Sequence, residues 1–429
     1  MNSIKEIFAA GVAKKCYVLG RRNNGEQGLL NLGRYVALDG SGASYVGLDA
    51  LGPHCVLICG KRGYGKSYTM GILVEELSLL PENIKNNIAS LVVDTMGIFW
   101  TMGIPNEPQK GLLQQWSLSP MGINIKVFVP AGSVKKYDQQ QIEVYPFSIP
   151  ISSMDGYSWC QLFNIDEVSP LGVLLIRIVS ELQSTYKNFS FDAIMDRVME
   201  DERADIVTKS AAENYIRTAF SWGVFTEEGI NVKDIVRGGC ITVLDVSTLK
   251  NLDVRAAVVG QISKEIYYQR LEARRLEERM LMGYEQECIG IPMVWLFIDE
   301  AHLFIPNGNK TLASSILTNE WLRQGRQPGL SLVFATQRPS ALDPEVTSQS
   351  DLLICHRLTA AEDISALESF RPSYMKENIG DSIRKMGMEK GIAFLLDDTT
   401  EAAHVVRMRP RLSWHGGNEP SALGNKKND

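Results

Sequence analysis

An apolar run, a glycine-rich turn and the start of a helix follow one another without a break at HCVLICG-KRGYGKS-YTMGILVEELSLL (54–80). No other stretch restricts the fold as much. Gly60–Ser67 satisfies GxxxxGK[ST], a pattern that carries meaning only between a strand and a helix, and both are present. Glycines at 60, 63 and 65 let backbone N–H groups turn inward around phosphate oxygens, and the helix N-terminus adds the positive end of its dipole. The expected ATP-binding set is Gly60, Lys61, Arg62, Gly63, Tyr64, Gly65, Lys66, Ser67 and Tyr68. Lys66 is expected to reach the β- and γ-phosphates, and the Ser67 hydroxyl to ligate Mg2+.

Downstream, further strands end in chemistry. MVWLFIDE (293–300) closes on two carboxylates. In P-loop enzymes the first, Asp299, orients Mg2+, and a second carboxylate one residue on can take the proton of the attacking water. Glu300 is therefore the expected general base, and the pair argues for hydrolysis over simple binding. LSLVFATQRP (330–339) ends in Thr336-Gln337-Arg338, at the sheet edge where ligands of open α/β folds lie. Gln337 there either contacts the γ-phosphate or attacking water, or merely ends a strand. Asp94 closes ASLVVD, where a part in catalysis beside Mg2+ and the capping of the next turn are equally open.

Strands apolar throughout and separated by helices indicate an α/β fold with a mostly parallel sheet covered on both faces. The 429 residues accommodate two to three units of ~150 residues. Residues 1–50 read as a small N-terminal arm and β unit, 51–130 and 239–412 as two halves of an ATPase core, 131–238 as a helical insertion, and 413–429 as a flexible tail. Within the insertion, Ser169-Pro170 is a helix start. The charged run ISKEIYYQRLEARRLEERM reads as a solvated helix face.

A formal charge of −6 excludes a protein that coats nucleic acid through bulk positive charge, though not a local basic channel. Seven scattered cysteines and five histidines show no metal-ligand spacing, so no structural metal is expected. The longest apolar run, PLGVLLIRIV (170–179), is cut by Arg177, well short of the ~20 residues a membrane span needs. With no leader-like N-terminus, a cytoplasmic location and no direct membrane span are expected.

Gly60–Ser67, VVDTMG (92–97), LFIDEAH (296–302), WLRQGRQPGLSLVFATQRPSAL (321–342) and VTSQSDLLICHRL (346–358), in this order, resemble the HerA-type ATPases of the HerA/FtsK superfamily. The likeness runs from about residue 44 to VRMRPRLSWHGG (406–417). It implies a RecA-like core, a homo-hexameric ring, ATP hydrolysis between subunits and translocation along double-stranded DNA, often beside a NurA-type nuclease or other DNA-processing partner. Two departures stand out. Residues 1–50 are shorter than the usual N-terminal barrel, and Ile98 replaces the acidic residue of a DxxGE segment.

Ring formation calls for an arginine supplied by a neighbour. Arg326 is the first candidate, Arg357 the second and Arg323 the third, and the resemblance adds Arg407, Arg409 and Arg411. DNA contact is expected from short positive loops, with Lys310 in IPNGNKT and Lys135 and Lys136 in SVKKYDQQQ. The competing reading is a P-loop ATPase that drives assembly or switching of a protein complex without nucleic acid.

Overall fold

The computed structural model describes residues 16–22, 25–36, 42–140, 142–284, 290–370, 378–386 and 389–417. Its strands are β1 (Cys16–Leu19), β2 (Leu29–Val36), β3 (Gly42–Asp49), β4 (Cys55–Cys59), β5 (Ile88–Asp94), β6 (Ile125–Pro130), β7 (Val144–Phe147) and β8 (Ile149–Pro150). They continue as β9 (Phe225–Thr226), β10 (Ile241–Asp245), β11 (Met293–Ile298), β12 (Leu330–Thr336), β13 (Leu352–Cys355), β14 (Ile392–Asp397) and β15 (Ala402–Met408). Thirteen of them form one sheet in the order β1-β3-β2-β15-β14-β13-β4-β12-β11-β5-β10-β6-β7.

From β13 to β7 every pairing is parallel. Side chains of a strand alternate between faces, and here both faces are dry. Leu57, Leu91 and Leu296 enter one buried cluster, while their neighbours Val56, Val92 and Trp295 enter the other. That two-sided burial is why these strands read as continuous apolar runs.

The helix following the glycine-rich turn, α1 (Lys66–Leu79), packs over β4 and buries Met70, Ile72, Leu73 and Leu77. The insertion contributes α2 (Gly156–Phe163), α3 (Pro170–Thr185), α4 (Phe191–Glu200) and α5 (Ile206–Ser221), with β8 and β9 paired at its base. Ser169 caps α3 as its sequence predicts, accepting a hydrogen bond from the Gly172 N–H at 3.1 Å. The preceding residues 131–147 belong instead to the sheet side, since β7 pairs with β6.

The long charged helix α6 (Leu252–Leu281) departs from a purely solvated face: within the charged run it buries Ile262, Ser263, Ile266, Tyr267, Arg270 and Ala273. Arg270 is 1% exposed. It donates to the carbonyls of Pro328 (2.7 Å) and Ile291 (2.6 Å), tying down the chain just ahead of β12 and β11.

The N-terminal strands are not a sheet of their own: β2 joins β15 antiparallel, which continues into β14 and β13. A Cβ at Gly33 would lie 2.1 Å from the Arg407 carbonyl oxygen, so only glycine permits that approach. A second tie is ionic. His54 Nδ1 lies 2.8 Å from Asp351 and Nε2 3.4 Å from Asp49, which also pairs with Arg21 at 2.9 Å. Burial opposes charge on His54, but hydrogen bonds to Asp351 and Asp49 outweigh it and raise the imidazole from 6.5 to about 9.

A raised histidine stabilises the fold fully below its unfolded value and loses that contribution as pH rises through its folded value. Stability is therefore expected to decline between pH 6.5 and about 9, by up to roughly 3 kcal/mol. Urea midpoints across that range test this; an equal decline in His54→Gln protein would assign the slope elsewhere. No described helix is long and apolar enough to cross a membrane. Residues 1–15 and 418–429 lie outside the described residues, while 413–417 of the expected tail pack beside α1.

Candidate active site

The turn at 60–67 wraps the start of α1 at the carboxyl end of β4. Gly63 (φ 78°) and Gly65 (φ 113°) take the left-handed backbone that the inward turn requires. Beneath the loop sits a residue that no motif flagged, His356. A Cβ on Gly60 would meet the His356 Cβ at 2.6 Å, and the ring lies under Gly65. Its Nδ1 is 3.0 Å from the Ile392 carbonyl, an acceptor only, so Nδ1 carries the proton and Nε2 accepts from the Thr69 hydroxyl at 2.8 Å. Burial pushes this imidazole down to about 4, which keeps it neutral beside Lys66. The available signal was a histidine closing an apolar strand, too general to read alone.

Lys66 is 5% exposed. Burial lowers its ammonium, while the charges of Glu300 and Asp299 work in the opposite direction. Ser67 Oγ donates to Asp299 Oδ2 at 2.9 Å. Asp299 is pushed up to about 6, by burial first and the neighbouring Glu300 charge second. Glu300 adopts left-handed backbone (φ 50°, ψ 48°), an uncommon and costly state for a non-glycine residue that clusters at functional sites. Its N–H donates to Asp299 Oδ1 at 2.9 Å, and Gln337 Nε2 donates to its Oε1. The other oxygen, Oε2, is buried without a hydrogen-bond partner, with His302 Nδ1 3.5 Å away. Thr336 Oγ1, 3.2 Å from the same ring nitrogen, helps set that histidine's position. Lys66, Ser67, Asp299, Glu300 and Gln337 thus converge at the ends of three adjacent strands, β4, β12 and β11.

Other expected residues lie elsewhere. Asp94 spends its carboxylate on the next turn, accepting from the N–H groups of Met96 (3.0 Å), Gly97 (2.7 Å) and Phe99 (2.7 Å). Burial and the charge of Asp245 raise it to about 7. The capping alternative is the one realised. Tyr68 turns its hydroxyl away from the loop, accepting from the Arg411 N–H (2.7 Å) and donating to Gln109 (3.0 Å).

The arginines separate into distinct groups. Arg326 is exposed in the turn before β12. Arg323 is held by a bidentate pair with Glu345, both bonds 2.9 Å. Arg407 pairs with Glu389 at 2.6 Å. Arg409 and Arg411 cannot reach a neighbour: they are 0% and 1% exposed, locked onto Glu75 and Glu76 of α1. Arg357 packs against the glycine-rich loop of its own chain. Its carbonyl accepts from the Lys61 N–H at 2.8 Å, and its guanidinium lies 5.7 Å from the centre of the Tyr64 ring.

The lysines of the two candidate loops are exposed. Lys310 follows the loop against α2, where Gln161 donates to its carbonyl at 3.1 Å. Lys135 and Lys136 stand on a short 3-10 helix, Ala131–Gln140, not on an open loop. Tyr137 anchors that helix to Asp245 at 2.7 Å.

Known proteins resemble this chain. The family described as helicase HerA, central domain, matches residues 30–266. The probable DNA double-strand break repair helicase HerA of Methanocaldococcus jannaschii is 24% identical over 74% of this chain and 53% of its own length. The DNA double-strand break repair helicase HerA of Pyrococcus furiosus is 24% identical over 42% of this chain and 34% of its own. The chain thus spans about half, or less, of the length of these relatives. Among solved structures, VirB4 of Thermoanaerobacter pseudethanolicus aligns over 91% of this chain and 99% of its own (TM-score 0.53, 12% identity). The unbound bacterial conjugative coupling protein TrwB aligns over 93% and 92% (TM-score 0.50, 13% identity), a likeness of fold alone. A family match across more than half of the residues, on a sheet that brings the glycine-rich loop against Asp299 and Glu300, leads to one assignment: the chain belongs to the HerA helicase central-domain family and is a P-loop ATPase.

Proposed function

We propose that this chain is a ring-forming motor that hydrolyses ATP between subunits and translocates double-stranded DNA. Residues 51–130 and 239–412 make its two-part core, and the likeness to HerA helicases supports DNA as the track. The observation that carries the chemistry is the convergence of Lys66, Ser67, Asp299, Glu300 and Gln337. Ser67 Oγ and Asp299 Oδ2 are hard oxygen donors side by side, the donor set that suits Mg2+. When bound there, Mg2+ supplies positive charge against the phosphate oxygens. Lys66, kept in a buried pocket, places its ammonium toward the β- and γ-phosphates. Glu300 Oε2, buried and without a partner, accepts the proton of the attacking water, while Gln337 fixes the carboxylate through Oε1.

Arg326 is the arginine offered to the neighbouring subunit: it is exposed, in a turn next to β12, and not buried like Arg409. Lys310, Lys135 and Lys136 are the proposed DNA contacts, and a homo-hexamer and a NurA-type nuclease the proposed partners. Three measurements test the reading together. Native mass should give a hexamer, duplex DNA should stimulate ATP turnover, and that stimulation should fall steeply with salt as counterions are released. Inactive Lys66→Ala and Arg326→Ala subunits, once mixed, should regain part of the activity at hybrid interfaces. If duplex DNA neither binds at low salt nor stimulates turnover, the complex-assembly reading, which the net charge of −6 favours, replaces the motor.

A further inference from the structure

We infer that Arg357 binds the α-phosphate of the nucleotide held by its own subunit's loop. This rests on the nucleotide-binding reading above and adds a contact at the end of the ligand away from the reaction. The strand order supplies the direction. Glu300 and Gln337 follow β11 and β12, on one side of β4, and mark where the γ-phosphate reacts. Arg357 follows β13, on the opposite side of β4. A triphosphate laid through the loop with its γ end toward Glu300 therefore turns its α end toward Arg357.

The side chain is prepared for an anion. Nη1 of Arg357 is buried and has no hydrogen-bond partner among the described residues. Buried donors in native proteins are nearly always paired, so one left open beside a phosphate loop marks the place of a ligand oxygen. Arg323, Arg407 and Arg411, by contrast, have carboxylate partners; Arg409 also leaves Nη2 open, but in a buried pair with Glu75 and Glu76, not beside the loop. The Tyr64 ring, 5.7 Å from the guanidinium carbon, orients it without using up its donors. The backbone is equally fixed. The Arg357 carbonyl accepts from Lys61 N–H, while the preceding His356 side chain fills the space beneath Gly60 and Gly65. One dipeptide thus supports the loop from below with a neutral imidazole and faces the ligand with a cation.

A contact to the α-phosphate is made equally in substrate, product and transition state, so its loss raises KM and leaves kcat nearly intact. The test compares ADP Kd by calorimetry, with ATP KM and kcat, in wild type, Arg357→Ala, Arg357→Lys and Tyr64→Leu proteins. Arg357→Ala should raise ADP Kd and ATP KM roughly ten- to a hundredfold, the range of a charge-assisted hydrogen bond, and lower kcat by less than about threefold. Arg357→Lys should recover part of the affinity, and Tyr64→Leu should weaken ADP binding by a smaller factor. Unfolding midpoints without nucleotide verify folding; should Arg357→Ala not fold, the other two variants decide. Unchanged ADP affinity with a large fall in kcat overturns the inference, as does recovery of turnover when Arg357→Ala and Lys66→Ala subunits are mixed, which would make the arginine act across the interface. If wild-type protein binds neither ADP nor ATP, the nucleotide reading itself falls and takes this contact with it.

Discussion

Glu300→Gln protein is expected to bind ATP with near wild-type affinity and to hydrolyse it ~10²–10⁴-fold more slowly, the loss typical of a missing general base. The amide keeps the volume of the carboxylate and still offers Oε1 to Gln337 Nε2. What it lacks is the basic Oε2, the oxygen that is buried and without a hydrogen-bond partner among the described residues. Gln337→Ala should cost less, because it loosens the carboxylate and leaves the proton acceptor in place. Single-turnover hydrolysis beside a nucleotide-binding titration separates the two effects. Turnover within a few-fold of wild type in Glu300→Gln would remove this residue from the chemistry.

The largest effect on folding is expected at Glu75. This carboxylate, 0% exposed, accepts from Arg409 (2.8 Å), Arg411 (3.3 Å) and the N–H groups of Leu412 (3.0 Å) and Ser413 (2.9 Å). Burial opposes its charge, but the two guanidinium groups outweigh burial and hold its carboxyl below the ordinary range. Glu75→Ala leaves both arginines buried against α1 with too little negative charge, a defect of ~3–5 kcal/mol. Glu345→Ala, which breaks only the exposed pair with Arg323, should cost less than ~1 kcal/mol. Urea unfolding of both variants provides the comparison. Equal small losses would mean that the buried cluster contributes little.

The parallel half of the sheet was legible because burial on both faces writes itself as unbroken apolar runs: 55–59, 88–94, 241–245, 293–298 and 330–336 all lie within or against runs that the sequence marks. The loop and its two carboxylates were legible because their spacing is short and their chemistry narrow. Contacts between distant residues were not. β15 hides in AAHVVRM, where His404 and Arg407 interrupt the pattern, and its antiparallel partners lie at opposite ends of the chain. Glu75 and Glu76 look like solvated helix residues until Arg409 and Arg411, more than 330 positions away, are folded onto them. Arg409 was grouped with arginines available to a neighbour, since sequence gives an arginine's position in the chain but not which surface it faces. Thr311 caps the helix that follows it, accepting from the Ser314 N–H, yet Ile316–Leu322 widens into a π-helix, which periodicity does not distinguish from an α-helix.

The continuity of the sheet also has a mechanical meaning. Within the sheet, strands β1, β3 and β2 connect to the loop-bearing strand by way of β15, β14 and β13, and the β2–β15 seam is three residue pairs long, from Val406↔Tyr35 to Met408↔Gly33; off the sheet, the His54–Asp49 pair and the Asn31 N–H bond to Glu76 of α1 tie the same strands. A pull along the strands loads that short seam in shear, with its hydrogen bonds sharing the strain. A pull across the sheet opens them one after another, like a zip. The seam is the narrow point of the plate, and tension on the N-terminal strands is shared there with the His54–Asp49 pair and the Asn31–Glu76 bond before it reaches the wide parallel field around the phosphate loop.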